Sequence, residues 1–220
     1  MSQSATNLLI FPFNGNGREA ASVVEDANRR GSAWNLLGFI DDDPEKRGLH
    51  FDKYPVLGGR EQLARHPEAM VLAVPGRPET FRQRRELINS LGVPSERFAT
   101  VVHPEAVIGI GCRFGFNSLI MANVVLTADV TVGNHVVILP NTVIAHDTLV
   151  GDYCLIGSGA SISGGVTIGV NCYLGSGARI IQEVAIGERA LIGLGAVVIC
   201  DVAPGATVAG NPARIIREKP

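Results

Sequence analysis

The sequence predicts a small α/β domain followed by a parallel β-helix, and three observations carry the prediction. Bulky apolar residues recur at every sixth position from residue 108 to residue 198, without an insertion. Small or β-branched residues recur two positions before each of them. Ahead of both series, short apolar runs alternate with a glycine turn and segments of helical spacing.

The bulky series starts at Ile108, Phe114 and Ile120, passes through Ile144, Ile162 and Ile180, and closes at Val198. All sixteen positions are apolar in a chain that is 46% apolar, so chance would supply fewer than half of them. A six-residue unit holds one short strand and one turn, and three units close a triangular coil. Coils then stack at about 4.8 Å, each burying the apolar edge of the next. The residue two before the bulky one shares its inward face, because strand side chains alternate with period two. It must be small, since three faces converge on a narrow axis. Cys112, Cys154 and Cys172 occupy this small position and read as core fillers. No CxxC pair occurs, so the four cysteines are expected to be ordinary reduced thiols. Glycine follows the bulky residue at nine positions, including 109, 151 and 175, where a corner needs a positive φ or a close backbone approach.

The first hundred residues have a different rhythm. Leu8–Phe11 reads as a buried strand, followed by Asn14-Gly15-Asn16-Gly17 and a helical segment from Arg18 to Arg30. Leu36–Ile40 is a second strand, ending at Asp41-Asp42, and Val71–Val74 a third; Phe81–Leu91 reads as a helix. Strands alternating with helices imply a parallel, Rossmann-like sheet. The resulting division is 1–102 for the α/β domain and 103–220 for the β-helix with a short tail. Exposed N–H groups and the helix dipole at the turn of Asn14, Gly15, Asn16 and Gly17 suit a phosphate. An acid at the end of the second strand, Asp41 or Asp42, suits a ribose hydroxyl or a base edge. The full GxGxxG pattern is absent.

Composition excludes several classes. The net charge of −2 gives no basic field for nucleic acid. No apolar run reaches the roughly 20 residues needed to span a bilayer. The polar start, Met1–Asn7, lacks a basic region before an apolar stretch, so no signal peptide and a cytoplasmic location are expected.

Proton-transfer chemistry near neutral pH points to histidine. Of five, His50, His66 and His103 lie outside the repeat; His103-Pro104 sits at the domain junction and reads as structural. His135 has no neighbouring acid and reads as a solvated corner. His146 is the third residue of the hexad starting at Ile144, which places it at an outward corner, and Asp147 follows directly. A carboxylate beside imidazole fixes its tautomer and stabilises the imidazolium. Two histidines in the repeat are too few for a histidine-held zinc ion, so no metal is expected.

The repeat, closed by Gly210-Asn211-Pro212-Ala213-Arg214, resembles that of the hexapeptide-repeat acyltransferases over about residues 105–214. The resemblance implies a left-handed parallel β-helix, although generic crossovers are right-handed. It also implies a homotrimer with acetyl-CoA bound between neighbouring prisms. A small α/β domain ahead of such a helix resembles sugar acyltransferases of the sialic acid O-acetyltransferase type. These include the N-acetyltransferases of UDP-linked bacillosamine precursors and GDP-perosamine, which serve surface glycan and lipopolysaccharide biosynthesis. In them the front domain holds the nucleotide of a nucleotide-linked amino sugar. The glycine turn departs from their usual Gly-x-Gly-Gly-His. Ile144-Ala145-His146-Asp147 resembles the segment around the family's catalytic base. In register, Gly164 falls where the family donates an N–H to the acyl oxygen, and Ser176 and Leu194 where it contacts acetyl-CoA. Leu155 stands where some relatives carry a second histidine. O-acetylation of a sugar, or a nucleotide-sugar-binding scaffold without activity, remain the alternatives.

Overall fold

In a computed structural model, residues 5–217 are described; residues 1–4, part of the polar start, lie outside them. The front domain is a five-stranded sheet with strands β1 (Thr6–Phe11), β2 (Trp34–Ile40), β3 (His50–Phe51), β4 (Tyr54–Gly58) and β5 (Met70–Ala73), in the order β3-β4-β2-β1-β5. All neighbours run parallel except the β3–β4 hairpin. Helix α1 (Gly15–Arg29) buries Ala20, Val23, Val24 and Ala27 on one stripe, the 3.6-residue spacing that the sequence carries. The segment expected as one helix from Phe81 is a 3₁₀ turn at Phe81–Gln83 followed by the α-helix Arg84–Asn89. The hairpin β3–β4 and the one-turn helix Gln62–Arg65 were not expected from the pattern.

The rest is a left-handed parallel β-helix. Sixteen two-residue strands, from Val107–Ile108 to Val197–Val198, each end on one of the sixteen bulky residues. Three parallel sheets result. The first face contains Val143–Ile144, the second Leu149–Val150 and the third Leu155–Ile156. Val101–Val102 leads into the third face, and Thr207–Ala209 with Arg214–Arg217 closes it. The inward residues form one continuous core. At the small positions, Thr142, Thr148, Cys154 and Cys172 donate to carbonyls fifteen residues on, at 3.0–3.1 Å, which satisfies polar atoms buried at the axis.

The corners resolve the two roles offered for glycine. The glycines directly after bulky residues serve close approach: a Cβ on Gly109 would lie 1.5 Å from the Thr127 carbonyl oxygen. The left-handed residues come two positions later. Every sixth residue from Gly111 to Gly195 has a positive φ. Most of the fifteen are Gly, Asn or Asp, the residues that tolerate this region best.

The third face carries the front domain. Its outward residues Leu119, Val137 and Leu155 are at most 3% exposed and pack with Leu8, Ile10, Val24 and Leu72 of the front domain. Burying each such side chain contributes about 1.5–3 kcal/mol. On the second face the equivalent Thr131, Leu149, Thr167 and Ala185 are exposed.

Candidate active site

His146 and Asp147 lie at the corner between the first and second faces, after the strand Val143–Ile144 and before Leu149–Val150. Asp147 is one of the left-handed residues, with φ 58°. That conformation swings its side chain out of strand alternation and towards its neighbour. The result is a bond of 2.8 Å between His146 Nδ1 and Asp147 Oδ2. A carboxylate oxygen only accepts, so Nδ1 carries the proton, and in the neutral ring the lone pair lies on Nε2. Both side chains are about two-thirds exposed, at 66% and 67%.

Gly164 lies one coil below His146, fixed by pairing of Val143–Ile144 with Ser161–Ile162. The imidazole leans over it: a Cβ on Gly164 would fall 2.5 Å from Cε1 and 2.6 Å from Nε2. Glycine is therefore the only residue that leaves the ring where it is. The neighbouring Gly165 donates its N–H to the His146 carbonyl at 2.8 Å, whereas the Gly164 N–H takes no partner among the described backbone bonds. Ser176 and Leu194 are stacked on a different corner, between the third and first faces, through the pairing of Tyr173–Leu174 with Leu191–Ile192. Leu194 is 74% exposed. The structure thus joins His146, Asp147 and Gly164, and sets Ser176 and Leu194 across the first face from them. Leu155 is buried under the front domain, in reach of Gly76, whose added Cβ would meet its Cδ1 at 3.2 Å.

In the front domain, Asn14 caps α1 by accepting the Gly17 N–H at 2.8 Å. Gly17 is fixed by space, since a Cβ there would lie 2.2 Å from the Pro12 carbonyl oxygen. The Asn16 amide donates to the carbonyls of Val74 and Gly76, both at 3.3 Å, tying the turn to the end of β5. The first-turn N–H groups of Gly15 and Asn16 have no intrahelical acceptor, as at any helix start. Asp41 is buried and accepts from the Phe13 and Asp43 N–H groups and from Lys46 Nζ, each at 3.0 Å. Asp42 takes Arg60 in a two-pronged pair, at 3.1 Å to Nε and 2.6 Å to Nη2, and that guanidinium holds its carboxyl below the usual range. Asn14–Gly17 and Asp41 therefore meet at one end of the sheet. Both carboxylates are already engaged by donors of the chain.

One reading of the sequence is corrected. His135 is not a solvated corner. It is 4% exposed, stacked on Tyr153 at 4.6 Å and edge-on to Phe98 and Phe116 at 4.9 Å. Its Nδ1 accepts from the Asn117 amide at 2.8 Å. Burial, with the Arg84 cation beside it, lowers its pKa to about 4. The reason is the corner on which it sits. Asn117, His135, Tyr153, Asn171 and Arg189 stack at intervals of eighteen between the second and third faces. There Asn117 bonds both the N–H and C=O of Ala73, at 2.7 and 2.9 Å. Tyr153 reaches Asn89, and Asn171 reaches the Arg82 carbonyl. Sequence reasoning also missed Arg84, 1% exposed, which donates to the carbonyls of Pro75 and His135 across this seam. His103, by contrast, is structural as read: it is buried, 3.2 Å from Asp26, and accepts the Glu105 N–H.

Residues 111–146 and 147–182 match the bacterial transferase hexapeptide family (six repeats). No curated protein sequence matches the chain. Among solved structures, the acetyltransferase domain of PglB from Neisseria gonorrhoeae, in complex with acetyl coenzyme A, is 26% identical, with a TM-score of 0.82, over 97% of this chain and 100% of that one. WeeI from Acinetobacter baumannii is 27% identical, with a TM-score of 0.80, over 97% and 100%. PerB from Caulobacter crescentus, in complex with CoA and GDP-perosamine, is 25% identical, with a TM-score of 0.82, over 96% and 97%. The likeness runs through the front domain and the β-helix alike, and the repeats match a transferase family. The chain is an acyltransferase whose β-helix carries bacterial transferase hexapeptide repeats over residues 111–182.

Proposed function

We propose that the chain transfers an acetyl group from acetyl-CoA to the amino group of a nucleotide-linked amino sugar, with His146 as general base. The observation that carries this reading is the imidazole with its Nδ1 bonded to Asp147 and its Nε2 free above Gly164. The amine attacks the thioester carbonyl while Nε2 accepts its proton. The Gly164 N–H donates to the oxyanion of the tetrahedral intermediate. The C–S bond then breaks and the imidazolium protonates the leaving thiolate, returning the base to its neutral form. Ser176 and Leu194 contact the coenzyme. The ligands of the structural neighbours support this choice, since the acetyltransferase domain of PglB is in complex with acetyl coenzyme A and PerB with CoA and GDP-perosamine.

The acceptor is held by the front domain, with the phosphates at the Asn14–Gly17 turn and Asp41 and Asp42 shaping the nucleoside side of the site. Within one chain that domain covers the third face, whereas His146 is on the corner opposite it. The reading therefore calls for a second copy of the chain, and we infer a homotrimer in which the front domain of one copy serves the His146 of the next. No described helix is long and apolar enough to cross a membrane. A cytoplasmic step in surface glycan biosynthesis, where acetyl-CoA is available, fits the substrates.

The test is His146→Ala with a panel of UDP-, GDP- and dTDP-amino sugars, preselected by thermal shift because a ligand that binds the native state raises its stability. Turnover should fall at least ~100-fold with trimer mass and melting temperature unchanged. Near-normal turnover would remove His146 from the mechanism. Acetyl-CoA consumption with sialic acid but with no amino sugar would move the acceptor to a hydroxyl.

A further inference from the structure

The corner that carries His146 has one break in it. Down this edge the paired corner residues are Ile110-Gly111, Ala128-Asp129, His146-Asp147, Gly164-Gly165, Gln182-Glu183 and Cys200-Asp201. Only the fourth pair has no side chain at all. Side chains from the coils on either side lean into the gap. From above, the imidazole covers Gly164. From below, Glu183 rises against Gly165, whose added Cβ would meet its Cγ at 3.4 Å. Pairing of Ser161–Ile162 with Arg179–Ile180 fixes this stacking, and the Glu183 N–H bonds the Gly164 carbonyl at 3.0 Å. Glu183 is held in the left-handed region, with φ 61°, which suits glutamate poorly. Its carboxylate is exposed and has no ion-pair or hydrogen-bond partner among the described residues. The notch thus has Asp147 one coil above Gly165 and Glu183 one coil below, spanning roughly 10 Å of stacked backbone. The free Nε2 of His146 is beside it.

We propose that Glu183 is a specificity-determining residue that seats the ammonium form of the acceptor in this notch and so selects an amine over a hydroxyl. This rests on the acetyl-transfer reading above. The bound R–NH3+ releases one proton to solvent. The resulting amine gives a second to Nε2 as its nitrogen bonds the acyl carbon, and that proton leaves on the CoA thiol as the C–S bond breaks. Glu183 neither gains nor loses a proton; it raises the local concentration of the cation. Asp129, two coils higher than Gly165 on the same edge, covers Gly111 instead, where an added Cβ would meet its Oδ1 at 2.0 Å.

Steady-state kinetics with an amino sugar and with its hydroxyl counterpart test the assignment. Glu183→Gln should raise the KM for the amine about 10-fold, the loss of one charged hydrogen bond, with kcat and the KM for acetyl-CoA within two-fold. Glu183→Asn, better suited to the left-handed conformation, should do the same, and Glu183→Asp should recover part of the loss. Asp129→Asn should match the wild type. The hydroxyl counterpart should be indifferent to all four. An unchanged amine KM in both neutral variants, or an equal rise in Asp129→Asn, overturns the role of Glu183 while leaving acetyl transfer standing. A wild-type enzyme that acetylates no amine overturns both.

Discussion

Two corners of the same prism are built from the same six-residue unit and end with opposite chemistry. At the corner of His146 the left-handed residue is Asp147, the histidine beside it is two-thirds exposed, and glycine lies beneath the ring. At the corner of His135 the histidine itself is left-handed, 4% exposed and enclosed by Phe98, Phe116 and Tyr153. One imidazole retains a free nitrogen facing outward. The other is kept neutral by burial and by a neighbouring cation. The coil is common to both, so the difference comes from the corner position each histidine takes and from what covers that corner. The front domain supplies the cover on one side and leaves the other open.

Perturbing the covered corner should cost most. Arg84→Ala removes a buried side chain that serves two carbonyls of the seam. Denaturant unfolding should register a loss of about 4 kcal/mol. A loss under about 1 kcal/mol would mean that the front domain is not held through this corner.

Acid sharpens the contrast next. His135 has a folded pKa of about 4 against roughly 6.5 unfolded. The unfolded chain therefore binds the extra proton between these values, and stability falls as pH drops through that window, by up to about 3 kcal/mol at its lower end. Above about pH 6.5 the contribution is fully present. In His135→Asn, which keeps a residue suited to positive φ, the stability–pH curve between 4 and 6.5 should flatten. An unchanged slope there would place the titration elsewhere.

The open corner should respond in rate rather than in stability. Gly164→Ala puts a methyl against the imidazole, 2.6 Å from Nε2 before any adjustment, and should lower kcat/KM about 100-fold, equivalent to about 2.7 kcal/mol. The midpoint of thermal unfolding should move by no more than a degree or two. Full activity in this variant would show that the ring need not rest on Gly164.

The open corner was largely legible in the sequence. A period of six places His146 outward, and the adjacent acid singles it out; both are local facts. The covered corner was not, because six residues do not say which of three faces a unit belongs to. That information has a period of eighteen. It was present in the outward series Leu119, Val137, Leu155, Tyr173 and Leu191, apolar where the next face has Thr131 and Thr167. Read that way, His135 would have been placed beside a packed face. Arg84 had no such signal: it stands in the charged run Arg82 to Glu86, and only tertiary packing selects which of its arginines is buried. The turn at Asn14–Gly17 was legible as a helix start, but the engagement of Asp41 by Lys46 and of Asp42 by Arg60 depends on contacts that no spacing encodes.

The uninterrupted eighteen-residue coil also makes the prism a ruler. Deleting or duplicating one whole coil would keep every remaining side chain on its edge and every left-handed residue at its turn, while changing which third-face residues lie under the front domain. It would slide the chemistry along the axis by a single graduation of about 4.8 Å. Reach can therefore change in discrete steps while orientation stays fixed, and a lineage built on this frame can re-gauge itself for longer or shorter acceptors by counting coils.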